Sequence, residues 1–261
     1  FKNFLLKKNY KIKTICVGNI YVGGTGKTSL SIEINNILKK KFKTVFIKKK
    51  YINQLDEREL LKINGSVFSD NDRKMSLIKA ENTRKFNLAI LDDGLQDKTI
   101  KYDISFACFN SSYGVGNGLL IPAGPLRENL SSLRNYSAIF LNGEKNNKSL
   151  FSILKEFNNH IFYSNYLPIN LRKFNRKKKY LYFCGIGNPE EFEYTLKKYK
   201  FNIAKKFIFP DHHNFKSQEI DEIKKIAFDN RLEIITTEKD YKRLNIKNIE
   251  NIDYLKIKLK I

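Results

Sequence analysis

The chain has 261 residues, of which 41% are hydrophobic and 13% aromatic, and this composition excludes a disordered polybasic tail because such tails lack apolar surface to bury. Lysine and arginine number 49 against 27 aspartates and glutamates, which gives a formal net charge of +22. This charge has three interpretations: binding to nucleic acid, attraction to an anionic membrane surface, or a general lysine bias in the composition. Lysine runs at residues 39–41, 48–50 and 177–179 are expected to be solvated faces.

The apolar runs and the cysteines indicate the compartment. No run approaches the roughly 18 apolar residues that a spanning helix needs. The cysteines, Cys16, Cys108 and Cys184, are odd in number and form no CxxC pair, which argues against disulfides or zinc and for a reducing compartment. We therefore expect a protein that faces the cytosol. Residues 1–8 are apolar and then basic, and we expect an N-terminal anchor to be absent or truncated.

The first half of the chain has the pattern of a parallel α/β sheet. Residues 14–17 predict a strand, and the glycines after them precede residues 27–40, whose apolar spacing predicts an amphipathic helix. Residues 44–47 predict the next strand and complete a βαβ unit. Further strands are predicted at 88–91, 104–109 and 138–141. Together these elements predict a first domain over residues 1–148.

The second half predicts a smaller α/β domain over residues 180–261. A polar, asparagine- and lysine-rich stretch at 149–179, with short apolar pieces such as 161–163, is expected to connect the two domains. The elements predicted beyond it are strands at 180–184 and 232–236, helices that begin near Glu190 and cover 220–228, and an edge strand at 254–259.

The strongest motif is Gly-Gly-Thr-Gly-Lys-Thr at residues 23–28, between a predicted strand and a predicted helix. In a phosphate-binding loop, small residues let backbone N–H groups face the phosphates, the lysine reaches the β- and γ-phosphates, and the threonine hydroxyl holds Mg²⁺. The full pattern has a glycine six residues before the lysine, where this chain has Tyr21. The residues predicted to bind a nucleotide are Tyr21, Val22, Gly23, Gly24, Thr25, Gly26, Lys27 and Thr28.

Three acidic or histidine motifs accompany this loop. Asp92 ends a predicted strand, where a P-loop protein places the carboxylate that supports Mg²⁺, although Asp-Asp-Gly at 92–94 is also ordinary turn chemistry. The loop upstream favours the metal. Taken alone, Asp-His-His at 211–213 is a polar surface loop, and Asp-Glu at 56–57 is a solvated charge cluster.

Taken together, these motifs resemble the tetraacyldisaccharide 4′-kinase family, the lipid A 4′-kinases of Gram-negative bacteria. The blocks that carry the resemblance occur in family order at residues 17–20, 23–28, 91–96, 117–128, 211–213 and 237–240. The resemblance implies transfer of the γ-phosphate of ATP to the 4′-hydroxyl of a tetraacyldisaccharide 1-phosphate, with ATP and Mg²⁺ as cofactors. It also implies a P-loop NTPase-like, mostly parallel sheet with helices on both faces, in which residues 1–148 are the ATP-binding kinase core.

The resemblance also assigns roles to individual residues. Asp56 matches the catalytic aspartate of the family, and His212, in the smaller domain, matches the histidine that pairs with it. Lys27 is then the catalytic lysine. The metal would be held by Thr28, Asp92 and Glu57. The chain departs from the family at Leu55 and Arg58, which replace the Gly and Pro of Gly-Asp-Glu-Pro, at residues 49–52, which replace Arg-Gly-Tyr-Gly, and at Asp97, which replaces a histidine.

The implied partners are the lipid A disaccharide precursor and an anionic membrane surface, at the cytoplasmic face of the bacterial inner membrane. We expect a monomer that binds no nucleic acid, since charge alone favours nucleic acid and no binding module accompanies it. The alternative is a regulatory P-loop NTPase of the metal-insertion or GTPase kind. Guanine recognition would need Asn/Thr-Lys-x-Asp, and Thr-Glu-Lys-Asp at 237–240 has its lysine one position too late.

Overall fold

The structure, a computed structural model, describes residues 10–51, 55–143, 147–245 and 249–261, without the side chains of Leu55 and Asp56. The chain divides into two compact units, Phe1–Tyr166 with Leu259–Ile261, and Leu167–Lys258. Among the described residues, no helix combines the length and the hydropathy needed to cross a bilayer.

The strands and helices follow one another in a largely alternating order. They are β1 (Lys13–Gly18), α1 (Lys27–Leu38), β2 (Thr44–Lys49), α2 (Leu55–Asn64), β3 (Val67–Asp70), α3 (Arg73–Asn82), β4 (Leu88–Asp92), β5 (Ile104–Asn110), β6 (Ala138–Asn142), α4 (Lys148–Lys155), β7 (Ile161–Pro168), β8 (Lys179–Cys184), α5 (Pro189–Lys198), β9 (Asn202–Ile208), α6 (Ser217–Asp229), β10 (Glu233–Thr237), α7 (Glu238–Tyr241), β11 (Ile252–Leu255) and β12 (Ile257–Lys260).

The first unit is built on a sheet with the strand order β12-β7-β6-β5-β1-β4-β2-β3. Neighbouring strands from β7 to β3 in this order are parallel. Strand β4 is buried along its whole length, which explains why it is a continuous apolar run rather than an alternating one. Because the strands are parallel, β1, β2 and β4 deliver their last residues to the same edge of the sheet.

Two apolar clusters lie on opposite faces of this sheet. Along β1, Cys16 belongs to one cluster, with residues of α3 and α4, whereas Ile15 and Val17 belong to the other, with residues of α1 and α2. This alternation follows from the two-residue period of a strand. Helices therefore cover both faces, and the predicted α/β class with a mostly parallel sheet is confirmed.

The second unit has its own parallel sheet, in the order β11-β10-β8-β9. Its two faces are also covered by separate apolar clusters, one of which includes Phe192 and Leu196 of α5, and the other Ile220 and Ile223 of α6. The second unit is therefore itself an α/β structure.

Two segments differ from the sequence-based expectations. Residues 149–179, expected to be a connection, contain most of α4 and all of β7, which pairs with β6 in the first sheet. Strand β7 is only partly buried, and Ser164 and Asn165 interrupt its apolar residues, so it lacks the continuous apolar run of a central strand. Residues 254–259, expected to be one edge strand, belong to β11 and β12 in different sheets. The break falls at Lys256, whose N–H donates to Asn170 Oδ1 (2.9 Å) and whose carbonyl accepts from the Ile169 N–H (2.9 Å).

Candidate active site

The loop between β1 and α1 has the backbone geometry that its glycines suggest. Gly26 is the residue before the first turn of α1 and has φ +83°, in the left-handed region that favours glycine. A methyl group at this position would collide with the side chains of Asn142 and Tyr166, and the Asn142 amide donates to the Thr25 carbonyl. The loop thus leads directly into the N-terminus of α1, whose unsatisfied N–H groups favour a phosphate.

Gly26→Ala is expected to lower the free energy of unfolding by about 1–3 kcal/mol, because alanine would have to adopt a strained φ and displace two side chains. Gly24→Ala is the matched control, since among the described residues no atom lies within 4 Å of the added methyl. Urea denaturation of the two variants would measure the difference. Equal stabilities would contradict the strained geometry at Gly26.

Asp92, at the end of β4, is fully buried beneath this loop. Its Oδ2 accepts a hydrogen bond from Thr28 Oγ1 (3.1 Å) and its Oδ1 accepts one from Ser31 Oγ (3.3 Å), both from α1. Within the described ranges no cluster of three His, Cys, Asp or Glu side chains could hold a metal by itself. Mg²⁺ in phosphoryl-transfer sites usually relies on one or two carboxylates, on waters and on the phosphates, so the Thr28–Asp92 pair fits an ion that arrives with the nucleotide.

Lys48, the fifth residue of β2, is buried between two carboxylates. Its side chain is 3% exposed, and its Nζ lies 2.7 Å from Asp92 Oδ2 and 2.6 Å from Glu57 Oε2. Strand pairing explains the first contact, because Lys48 and Asp92 are register partners on β2 and β4. The expectation that the lysine run at 48–50 is solvated is therefore wrong for Lys48, whereas Lys50 is exposed.

The two carboxylates set the protonation state of Lys48. Burial by itself would lower the pKa of this amine, but Asp92 and Glu57 outweigh it and raise the pKa above its ordinary value. Glu57, predicted from the resemblance as a metal ligand, thus lies in an ion pair with Lys48 at the edge of the site. The only sequence feature that could have indicated Lys48 is its place near the end of a predicted strand.

Asp93 forms an ion pair with the P-loop lysine, Lys27, and it also pairs with Arg127. Its Oδ1 lies 3.9 Å from Lys27 Nζ and 3.0 Å from Arg127 Nη2, and its φ of +58° turns the chain away from β4. Burial favours the neutral acid, but the nearby cations, first Lys27 and then Arg127, keep the pKa of Asp93 below its ordinary value. Sequence reasoning singled out Asp92 and missed Asp93, although the Asp-Asp pair was the available signal.

The segment at residues 117–128 makes hydrogen bonds to the chain just before the P-loop. The Val22 N–H donates to the Pro125 carbonyl (2.9 Å), and Tyr21 forms a β-bridge with Leu126. Arg127 Nη2 donates to the Asn19 carbonyl (2.8 Å) as well as to Asp93. Tyr21 and Val22, both predicted to contact the nucleotide, are therefore held in place by this segment.

The second unit carries the Asp-His-His turn. The His212 N–H donates to the Gly185 carbonyl (3.1 Å), and its Nδ1 lies 3.0 Å from Nη2 of Arg243. His213 has different surroundings, with Nε2 2.9 Å from Glu219 Oε2 and its ring stacked on Phe209. The two adjacent histidines thus face different partners.

Comparison with known proteins extends the motif matches to the whole chain. A family model described as tetraacyldisaccharide-1-P 4′-kinase matches residues 1–61 and 53–261. The chain belongs to the tetraacyldisaccharide-1-P 4′-kinase family. The tetraacyldisaccharide 4′-kinase of Pelagibacter ubique is 46% identical over 97% of this chain and 82% of its own length. That of Rickettsia akari is 34% identical over 95% and 81%.

A solved structure supports the fold of this kinase family member. The crystal structure of LpxK from Aquifex aeolicus in complex with ATP superposes with a TM-score of 0.72, covering 99% of this chain and 87% of that one, at 23% identity. At this identity the likeness shows the fold alone. The predicted family, the P-loop NTPase-like fold and the assignment as a phosphotransferase are confirmed, and the regulatory NTPase alternative is not favoured.

The catalytic residues of the kinase prediction differ in how far the structure describes them. Asp56 is the second residue of α2, directly before Glu57, and its side chain lies outside the described ones. Its role as catalytic base, and its pairing with His212, stay predictions. By contrast, at the carboxyl edge of the first sheet the structure pairs Thr28 with Asp92 and places Lys27 3.9 Å from Asp93.

Proposed function

We propose that this protein transfers the γ-phosphate of ATP to the 4′-hydroxyl of a tetraacyldisaccharide 1-phosphate. The observation that carries this proposal is the pairing of consecutive P-loop residues with consecutive aspartates. Thr28 bonds to Asp92, and Lys27 lies 3.9 Å from Asp93, in a chain whose relatives are named for this reaction. A lysine and a hydroxyl are thus aimed from α1 at the place where phosphates would bind.

The phosphate side of the reaction depends on electrostatic positioning. Lys27 would exchange its contact with Asp93 for the β- and γ-phosphates, because at 3.9 Å this contact is too long for a hydrogen bond. Asp93 keeps Arg127 as a partner when Lys27 moves. Thr28 and Asp92 would hold Mg²⁺, which when bound neutralises charge on the β- and γ-oxygens. Backbone N–H groups at the start of α1 complete the cradle.

The acceptor side needs a base. An alcohol nucleophile loses its proton as the phosphoryl group is transferred, and a positioned carboxylate can accept that proton. We propose Asp56 for this role, with His212 as the partner that orients it. Support comes from the match of both residues to the family pattern and from the place of Asp56 on α2, beside Glu57, which is paired with Lys48.

The same proposal places the protein as a monomer on the cytoplasmic face of the bacterial inner membrane. Its acceptor is a lipid, and its net charge of +22 would attract it to an anionic leaflet, at about 1 kcal/mol for each lysine or arginine near the surface. We propose no nucleic-acid partner, because only the charge favours one and no recognised binding module accompanies it.

Asp56→Ala is expected to lower phosphate transfer by about 10²- to 10⁴-fold, the usual contribution of a positioned acid–base group, while ATP still binds. The measurement is thin-layer separation of labelled lipid formed from ATP and a tetraacyl disaccharide 1-phosphate, with ATP affinity measured separately. Glu59→Gln is the matched control, since Glu59 lies on the same helix, half-exposed and paired with Lys62. Near-normal phosphate transfer by the Asp56→Ala variant would contradict the assignment of Asp56 as the catalytic base. Fast GTP hydrolysis without lipid would instead support the regulatory alternative.

A further inference from the structure

His212 has a backbone conformation that a histidine rarely adopts. Its φ is +59°, and its N–H is shared between the Gly185 carbonyl (3.1 Å) and Asp211 Oδ1 (3.0 Å). Such a conformation persists where the surroundings over-determine it. The turn therefore fixes the direction of this side chain, which is 29% exposed.

The Nδ1 atom of the His212 imidazole lies against a guanidinium. Nη2 of Arg243 lies 3.0 Å from Nδ1 of His212. A guanidinium has only donors and keeps its proton in proteins, so Nδ1 must accept this hydrogen bond and carries no proton. The ring proton is consequently on Nε2, which makes Nε2–H a hydrogen-bond donor.

Arg243 is in turn held by a buried carboxylate. Its Nη1 donates to Asp240 Oδ1 (3.0 Å) and to the Gly185 carbonyl (2.7 Å), the same oxygen that accepts from the His212 N–H. Asp240 is fully buried and accepts a further hydrogen bond from Thr237 Oγ1 (2.7 Å). The block at residues 237–240, one of those that carry the family resemblance, therefore supports Arg243 through Asp240.

We propose that Arg243 is a positioning residue that fixes His212 in the Nε2–H tautomer. The inference rests on the proposed function, in which His212 is the partner of Asp56. In the proposed pairing, His212 would then offer Nε2–H as a donor, and Asp56 would be the group that accepts the proton of the acceptor hydroxyl. The proton lost by the acceptor ends on Asp56, and His212 keeps its own.

Nitrogen NMR of the whole chain tests the tautomer directly, because the chain has three histidines, His160, His212 and His213, and His212→Gln identifies one set of signals. In long-range ¹H–¹⁵N spectra at neutral pH, we expect the Nε2–H pattern for His212. Arg243→Met is expected to convert it to a mixture of tautomers, and Arg243→Lys, which keeps a donor, to preserve more of it. Lys242→Met is the matched control, since Lys242 pairs with Glu238 at 3.0 Å.

Activity separates this inference from the proposed function. Arg243→Met is expected to lower kcat for transfer about tenfold or more, part of the 10²–10⁴ that a positioned acid–base group contributes, without changing ATP affinity. An Nδ1–H pattern in the unmodified protein would overturn the role of Arg243, as would an unchanged tautomer in a folded Arg243→Met. If the tautomer behaves as expected but His212→Gln transfers phosphate normally, the Arg243 contact stands and the proposed role of His212 fails.

Discussion

Lys48→Met is expected to destabilise the first unit by about 3–5 kcal/mol, the usual cost of breaking a buried ion pair by removing one partner. Methionine is similar in length but has no charge, so Asp92, fully buried, and Glu57, 17% exposed, would lose the cation between them. Because a domain is stable by only about 5–15 kcal/mol, a loss of this size is measurable. Urea denaturation measures the change in the free energy of unfolding. Amide hydrogen exchange in β2 and β4 then shows whether the stability is lost in the first unit.

The controls for this prediction lie beside Lys48. Lys50→Met removes an exposed charge two residues away and should change stability by no more than about 0.5 kcal/mol. The double variant Lys48→Met/Glu57→Gln should be more stable than Lys48→Met alone, because only one of the two carboxylates that contacted Lys48 is still charged. Equal losses in Lys48→Met and Lys50→Met would contradict the buried pair.

The raised pKa of Lys48 determines how its contribution to stability changes with pH. The pKa of Lys48 is raised in the folded protein, so its contribution is fully present below the ordinary lysine pKa of about 10.4. Above that pH the folded state binds more protons than the unfolded state, and the contribution decreases as the pH rises. The stability difference between the wild type and Lys48→Met should therefore be constant from about pH 7 to 9 and shrink in stronger alkali.

The central strands and the P-loop could be predicted because their signals are local. Strand β4 is an apolar run, and the loop at residues 23–28 has its glycines, lysine and threonine within six positions. Both signals arise from residues that are neighbours in the chain. The same holds for α1, whose predicted start at Lys27 agrees with the structure, although it ends two residues earlier than expected, at Leu38.

The role of Lys48 could not be predicted, because it depends on pairing between distant strands. In sequence it is one of three consecutive lysines, and the register of β2 against β4 distinguishes it from the exposed Lys50. Asp93 is a similar case, since its partners Lys27 and Arg127 come from separate segments. Hydrophobic periodicity cannot predict contacts between distant segments. A run of charged residues, taken alone, predicts solvent-exposed side chains.

Edge strands were missed or misread for a related reason. Strand β9, at the edge of the second sheet, is mostly exposed and contains two lysines, so it lacks an apolar signature. Strand β3 is at the edge of the first sheet and is only four residues long. An alternating pattern at residues 254–259 correctly indicated extended chain, but alternation does not reveal that β11 and β12 join different sheets.

Lys27→Met is expected to lower kcat/KM for ATP by about 10²- to 10³-fold, the usual cost of removing one positioned group that stabilises transition-state charge. The reason is its place at the start of α1, where its ammonium lies 3.9 Å from Asp93 and can reach the phosphates. Steady-state transfer assays and calorimetric titration with ATP measure the effect. Lys39→Met, at the exposed far end of the same helix, is the matched control.

Measurements of stability should distinguish the Lys27→Met variant from the Lys48→Met variant. The Lys27–Asp93 contact is long, at 3.9 Å, and Asp93 keeps Arg127 at 3.0 Å in the variant, so losing the lysine should cost no more than about 1 kcal/mol. Lys27→Met should therefore unfold close to the wild-type urea concentration while losing activity, whereas Lys48→Met should lose stability first. A Lys27→Met protein with normal ATP affinity and normal transfer would contradict the assignment of the P-loop. One that unfolds as early as Lys48→Met would show that the Lys27–Asp93 contact carries structure rather than catalysis.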